Sequence, residues 1–367
     1  MISLADVLRR HWPAYEQKFG ACLLPSHRRA VQAILSCRTP ALGGQLFRCE
    51  CGKEHYAYHS CNHRACPQCG HADATEWLNR QRRRLLPVPY YLVTFTVPAQ
   101  LRKPIRSHQN ILYALLLREG AAALSDLARD HKDFGAQIGL LAVLQTWTRD
   151  LRYHPHVHCV VPAGGLSADA LRWIRPKNPD YFLPQAALAR RFRTRLKQTL
   201  QQNHPEIFRL IPTIAWSIRW VADVQPVGSG EPALKYLAAY VYRTAFSSER
   251  ILSDDGHHVT FSYRDRKTHS LRTVPLGPEA FLHRFLQHVL PKGFQRVRSF
   301  GWLSAAAKSK WERILALLDW KLAALVVAAP LPPPQCPTCK KPMLLIGQLP
   351  RAPPSWRRPP PQSALPK

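Results

Sequence analysis

An α+β fold is predicted: a central antiparallel sheet flanked by helices, with a small zinc-binding region ahead of it. Three observations carry the prediction. Residues 90–97 alternate in period two and are rich in aromatic and β-branched side chains, the mark of a strand. Further strand-like segments are interspersed with helical ones, without a regular βαβ rhythm and with an Asp255-Gly256 hairpin signal. A dense group of cysteines precedes the first strong strand.

Residues 1–86 read as short helices followed by that cysteine group; Val31, Ile34 and Leu35 mark one buried helical face. A basic helix over about 72–86 carries Arg80, Arg82, Arg83 and Arg84, and Pro87-Val88-Pro89 breaks the chain after it. In the strand over 90–97, Tyr91, Val93, Phe95 and Val97 share one face, and Leu92, Thr94 and Thr96 the other. A helical region follows over 105–130, then strands over 138–148 and 156–161, the latter ended by Gly164-Gly165. A basic helix over 188–202 holds Arg190, Arg191, Arg193, Arg195 and Lys197. Residues 214–224 are strand-like, and a helix begins near Pro232 and runs over 231–244. The hairpin joins 250–252 to 258–261, and Pro291 stops a helix over 278–290. A carboxy-terminal helix, a Cys336-Pro-Thr-Cys339 segment and a proline-rich tail complete residues 301–367; the tail from Arg351 is expected to be disordered.

The chain has 367 residues, 52 Lys plus Arg against 23 Asp plus Glu, and a formal net charge of +29. Such an excess repels itself in isolation and suits a polyanion, whose neutralised phosphates release counterions. The basic clusters nominate Arg82, Arg83, Arg84, Arg190, Arg191 and Arg193 as phosphate-backbone contacts. Trp173, Tyr181 and Trp216 are candidates for stacking on unpaired bases. The most apolar stretch, 314–329, is interrupted by Asp319 and Lys321 and is too short for a bilayer span, so no membrane partner is expected. No signal-peptide-like apolar region opens the sequence, and a cytoplasmic, nucleoid-associated protein with reduced cysteines is expected. No phosphate-binding Gly-x-x-x-x-Gly-Lys-Ser/Thr loop occurs, which argues against ATP as a partner.

The run His154-Pro-His156-Val-His158 is the most informative motif. On a strand His156 and His158 share a face, while Val157, Cys159 and Val161 point into the core. Two neutral imidazoles can hold a divalent ion. A third ligand is needed, and His154, Asp150, Gln145 and Glu231 are all candidates. Some eighty residues on, Tyr236 and Tyr240 stand four apart on a helix and share a face, with Cβ atoms about 6 Å apart. Taken alone, such a pair is more often core. Beside a metal strand, two phenols can serve as nucleophiles on phosphorus. Lys235 and Arg243 are placed to stabilise a phenolate or a pentacoordinate phosphorus. No acidic cluster stands out for a three-carboxylate mechanism.

Cys66-Pro-Gln-Cys69 is a strong half-site for tetrahedral zinc, and Cys49-Glu-Cys51 is a tighter partner. The expected ligands are Cys49, Cys51, Cys66 and Cys69, with Cys61 as substitute. Four thiolates leave no open position, so the zinc is structural. Cys336 and Cys339 form a lone half-site, and Cys22, Cys37 and Cys159 read as buried small residues.

Residues 154–167, His-Pro-His-Val-His-Cys-Val-Val-Pro-Ala-Gly-Gly-Leu-Ser, resemble the His-hydrophobe-His motif of rolling-circle transposases of the insertion sequence 91 family. Tyr236-Leu-Ala-Ala-Tyr240 resembles their two-tyrosine motif, and residues 37–44 with 60–69 are similar to their zinc-binding region. Residues 285–294 are similar to a later segment of the family. One departure is Glu50 standing alone between Cys49 and Cys51, where the family usually has two residues. The resemblance spans about residues 10–345. It implies a zinc-binding, DNA-recognising region over 1–86 and an HUH (His-hydrophobe-His) endonuclease core over 87–300. It further implies Mg²⁺ or Mn²⁺ at His156 and His158, nucleophiles at Tyr236 and Tyr240, and single-stranded DNA at element ends together with target DNA as substrates. A replication initiator or relaxase, and a non-enzymatic zinc-containing DNA-binding protein, are the rival readings.

Overall fold

The alternating segment after the Pro87–Pro89 break forms a strand in the computed structural model, which describes residues 2–69, 71–130, 132, 134–178, 182–242, 245–265, 268–322 and 332–351. In chain order the helices are α1 (Leu4–Phe19), α2 (Pro25–Ser36), α3 (His71–Arg82), α4 (Arg102–Ser107), α5 (Gln109–Arg129) and α6 (Gln185–Asn203). They continue with α7 (Pro205–Arg209), α8 (Ile214–Ser217), α9 (Glu231–Tyr242), α10 (Pro278–Leu286) and α11 (Lys308–Leu317). The strands are β1 (Gly44–Arg48), β2 (Glu54–Tyr58), β3 (Tyr90–Thr96), β4 (Gly139–Trp147), β5 (Tyr153–Pro162), β6 (Gly165–Leu166) and β7 (Trp173–Ile174). After these come β8 (Val221–Pro226), β9 (Ile251–Asp254), β10 (Val259–Arg264), β11 (Leu271–Leu276), β12 (Val297–Gly301) and β13 (Leu344–Leu349). The proline-rich tail from 352 lies outside the described residues.

The fold is α+β, built on a five-stranded antiparallel sheet of order β12-β4-β5-β3-β8. Because side chains alternate, the sheet has two chemically different faces. Tyr91, Val93 and Phe95 of β3, Val157, Cys159 and Val161 of β5, and Leu140, Ala142 and Leu144 of β4 pack beneath α5 and α6 in the largest apolar core. Polar groups buried on this face need partners, and the Tyr153 hydroxyl of β5 finds one in the Tyr113 hydroxyl of α5, 2.7 Å away. On the other face Leu141, Val143 and Val160 pack against Leu234 and Leu237 of α9, Trp77 of α3 and Trp302. That apolar cover stops short of the β5 residues His156 and His158, so this end of the face opens into a cleft.

A second core joins α1 and α2 to α10 and the three-stranded β11-β10-β9 sheet. Leu4, Leu8, Val31 and Ile34 meet Phe246, Phe261, Phe281 and Phe285 there. A reciprocal capping box between Ser3 and Asp6 starts α1, satisfying backbone N–H groups that have no partner within the helix. The third sheet has order β13-β1-β2, so a carboxy-terminal strand pairs with an amino-terminal one.

Two sequence expectations are corrected. Residues 214–217 are a helical turn rather than strand: Trp216 is buried between Phe208 and Trp220, stacked on each with ring centroids 5.7 Å apart. Trp216 is therefore core and not a base-stacking surface. Cys22 is exposed, because α1 ends before it and the short 3-10 turn that carries it buries no residue. Among the described residues no helix is long and apolar enough to cross a membrane.

Candidate active site and zinc sites

The register of the central sheet builds the cleft. His158 sits opposite Thr94 on β3 and Val143 on β4, and His156 opposite Thr96 and Gln145. The pairing of β3 with β5 thus sets the Thr94 and Thr96 face beside the histidines. His158 Nδ1 is 2.9 Å from Thr94 Oγ1, and its Nε2 is 3.1 Å from Gln145 Oε1. The Gln145 side-chain Nε2 donates to the Trp147 carbonyl at 3.1 Å, which turns Oε1 toward His158. His156 Nδ1 donates to the His154 carbonyl at 2.6 Å, so Nε2 is left with its lone pair. Both imidazoles are buried, their rings 4.8 Å apart at the centroids. Burial pushes the His156 pKa down to about 4, so the ring is neutral and able to ligate.

The Tyr236 ring meets the His158 ring edge-on, with centroids 5.8 Å apart and planes at 89°. Tyr236 is 40% exposed, which leaves it open to a large substrate. Leu234 and Leu237 anchor α9 on the sheet and thereby set the position of Tyr236. Tyr240 lies one turn further along α9; its side chain, like Arg243 and Tyr181, lies outside the described residues. The cleft encloses about 800 Å³ and is also lined by Asp150, Arg152, Asp223 and Tyr263.

The third-ligand candidates separate by geometry. Glu231 is paired with Arg82 and Lys235, each at 3.0 Å, and does not line the cleft. His154 Nδ1 accepts from Arg102 at 3.0 Å. Asp150 is paired with Arg152 at 2.7 Å and accepts from the Thr148 hydroxyl. Gln145 presents an oxygen to His158. Asp223 was not legible as a cleft residue; it lies opposite Thr94 on β8, which only the strand pairing reveals.

The cysteines form two quartets rather than the single expected one. Cys37, Cys61, Cys66 and Cys69 bring their sulfurs within 4.8 Å of one another, and so do Cys49, Cys51, Cys336 and Cys339. Among the described residues these are the groups of three or more His, Cys, Asp or Glu that could hold an ion. Cys49 and Cys51 thus do not join Cys66 and Cys69. Cys37, expected as a mere core residue, is 3.2 Å from Cys69, and Cys61 is 3.5 Å from Cys69. The Cys66 thiol hydrogen-bonds Cys61 and lowers its pKa, while Cys66 itself is raised.

The basic residues also divide. Arg84, two residues past the end of α3, donates to the Leu303 carbonyl at 2.8 Å and lies half-buried over the Trp311 ring. Arg82 is paired with Glu231, and Arg193 donates to the Ile218 carbonyl at 3.4 Å. Arg83 is half-buried near the end of the same segment. Arg190 and Arg191 are exposed on α6, whose Leu188, Phe192 and Leu196 cover the sheet face away from His156 and His158. Lys235 is exposed on α9, next to Tyr236.

Comparison with known proteins decides the family. Residues 139–310 match the family model described as "Putative transposase", and residues 7–97 match the insertion sequence 91 "Transposase zinc-binding domain". The chain is 35% identical over 319 residues to "Putative transposase y4qJ" of Sinorhizobium fredii, covering 82% of this chain and 80% of that protein. It belongs to the insertion sequence 91 family of transposases. The transposase for insertion sequence element IS801 of Pseudomonas savastanoi pv. phaseolicola is 28% identical over 294 residues, 75% of this chain and 69% of that protein. No solved structure matches this transposase. The matched zinc-binding region contains all four cysteines of the first quartet, and a structural zinc ion suits that transposase domain.

Proposed function

We propose that this transposase nicks and rejoins single-stranded DNA through its tyrosines, and that this chemistry drives rolling-circle transposition. The observation that carries the reading is the edge-on contact of Tyr236 with His158, 5.8 Å between centroids, at an open cleft. The Tyr236 phenolic oxygen attacks a backbone phosphorus. The bond from phosphorus to the 3′ oxygen breaks, and that oxygen departs as a 3′-hydroxyl after taking a proton. The product is a 5′-phosphotyrosine, which keeps the bond energy for rejoining when a 3′-hydroxyl attacks it in turn. Tyr240, one turn along α9, is suited to accept a second strand while the first link persists. Lys235 on the same helix contributes positive charge near the phosphate.

His156, His158 and Gln145 are the residues that would hold a catalytic Mg²⁺ or Mn²⁺. The fit rests on the donor set: a neutral His156 with Nε2 available, and a Gln145 oxygen aimed at His158 Nε2 by the bond to Trp147. Such an ion, when bound, withdraws charge from the phosphoryl group. The chain's own contribution is to fix both imidazoles through Thr94 and the His154 carbonyl, and to present the phenol.

Incubation with labelled single-stranded oligonucleotides carrying element ends and Mn²⁺, followed by denaturation, tests the reading. A covalent adduct is expected, absent when Tyr236 and Tyr240 are both changed to Phe. Binding without any adduct, across all end sequences offered, would favour a non-enzymatic DNA-binding role.

A further inference from the structure

We propose that Cys49, Cys51, Cys336 and Cys339 bind a second zinc ion, and that this ion clasps the carboxy-terminal strand onto the amino-terminal hairpin. The family's zinc-binding region, residues 7–97, contains only half of this quartet. Its other half lies 285 residues away, from Cys51 to Cys336.

The sulfur positions suit zinc. Cys49 and Cys339 are 3.3 Å apart, Cys51 and Cys336 3.6 Å, and Cys51 and Cys339 3.8 Å. A tetrahedral site with Zn–S near 2.3 Å places sulfurs about 3.8 Å apart. Two disulfides would instead need sulfurs about 2.05 Å apart.

Two turns present the thiols. Cys49 and Cys51 flank Glu50 in the turn that follows β1. The Cys49 N–H donates to the Lys53 carbonyl and the Gly52 N–H to the Cys49 carbonyl, each at 2.9 Å. Gly52 has φ +85°, a conformation that a side chain would strain. In the second turn the Lys340 N–H donates to the Cys336 carbonyl at 3.0 Å, and the Cys336 N–H to the Lys341 carbonyl at 2.9 Å. Lys341 and Glu50 form an ion pair at 3.0 Å across the two turns.

What else holds this unit together is slight. Its buried cluster is only Phe47, Cys49, Cys336 and Met343. Leu344, Leu345 and Ile346 of β13 are 67%, 51% and 44% exposed, so the strand gains little by burial. Units this small generally need a metal or a disulfide to persist. The β1–β13 ladder closes a very long loop, and a tetrathiolate ion can supply the missing free energy.

The full chain tests this without any need for cleavage activity, so its outcome is separate from that of the tyrosine chemistry. Metal analysis should find two zinc ions per chain, and Co²⁺ should replace both with tetrathiolate absorption. The double change C336S/C339S should leave one, and C61S/C66S should also leave one. Stepwise chelation of the wild-type protein guards against a variant that merely unfolds. Loss of one ion should speed amide exchange of residues 344–349 by about tenfold or more while α1 and α2 stay protected. A single zinc in the wild type, two retained in C336S/C339S, four cysteines found as disulfides, or exchange at 344–349 indifferent to metal would each overturn the clasp.

Discussion

Thr94 Oγ1 and His158 Nδ1 lie 2.9 Å apart across the β3–β5 ladder. The contact exists because residues opposite each other on paired strands share a face, and Thr94 is the polar residue opposite His158. It fixes the imidazole so that Nε2 is directed toward Gln145. A ligand on Nε2 requires the proton on Nδ1, and Thr94 Oγ1 is then its acceptor. Thr94 is thus a positioning residue for the His158 ring.

Replacing Thr94 with Val keeps the shape and removes the acceptor. The Mn²⁺ concentration for half-maximal adduct formation should rise about 10–100-fold, with the rate at saturating metal largely kept. Thr94→Ser should stay close to wild type. A Val variant with an unchanged metal requirement would show that Thr94 only packs.

Gln145→Ala removes the oxygen that faces His158 and also the bond to the Trp147 carbonyl. Its effect on metal requirement should exceed that of Thr94→Val. Glu231→Ala should leave the requirement as it is, because Glu231 pairs with Arg82 and Lys235 away from the cleft. Mn²⁺ titration of adduct yield distinguishes the two; equal sensitivity would remove Gln145 as the third ligand.

Acid should weaken the fold before its carboxylates protonate. His27 is buried and its Nε2 accepts from Arg106 at 2.9 Å; burial, then the Arg106 charge, depresses its pKa to about 3. His288 is buried against Thr146 and the Leu151 carbonyl, and burial depresses its pKa to about 4. Both folded pKa values lie below the unfolded 6.5. The unfolded chain therefore binds more protons below about pH 6.5, and stability falls as pH drops toward 4. Between pH 6 and 5 the slope should approach about 1.4 kcal/mol per pH unit for each histidine. Urea midpoints measured across that range test it. His288→Gln should flatten the dependence relative to the wild type, and an unchanged slope would dismiss His288 as a source.

The parts of this molecule that were legible in sequence are those with local rules. The alternation from Tyr90 to Thr96, the His156–His158 pair and the Tyr236 helix each repeat at the period of one element; strand pairing relates the first two, and the packing of Leu234 and Leu237 on the sheet places the third. β1 and β2 escaped because each is five residues long and only partly buried, with too short a run to establish a period. β11 escaped because it is largely exposed and holds Pro275, which suits an edge strand. The cysteine partners escaped for a different reason. Spacing reports ligands that are close in sequence, whereas Cys37 and Cys336 reach their quartets through the packing of α2 and β13. Arginines were the least legible, since a basic run is the same string whether its members face solvent or a carbonyl, as Arg84 does.

Arg195 shows how that ambiguity can be resolved by experiment. It sits in the same basic helix as Arg190 and Arg191, yet its guanidinium pairs with Glu119 at 3.0 Å and Asp126 at 2.9 Å. The Glu119 side chain is only 2% exposed and would be left with Arg118 alone. Arg195→Met keeps the apolar stem and removes the charge. The loss should be about 1–3 kcal/mol, less than for a fully buried pair, because Arg195 is itself about a third exposed and Arg118 remains. Urea unfolding should show a lower midpoint at an unchanged slope, while the salt dependence of DNA affinity stays as in the wild type. The opposite signature, intact stability with a shallower salt dependence, is expected for Arg190→Ala with Arg191→Ala if α6 touches DNA. Should Arg195→Met instead leave the midpoint alone and flatten the salt dependence, α6 would meet DNA through the very residue that the fold now claims.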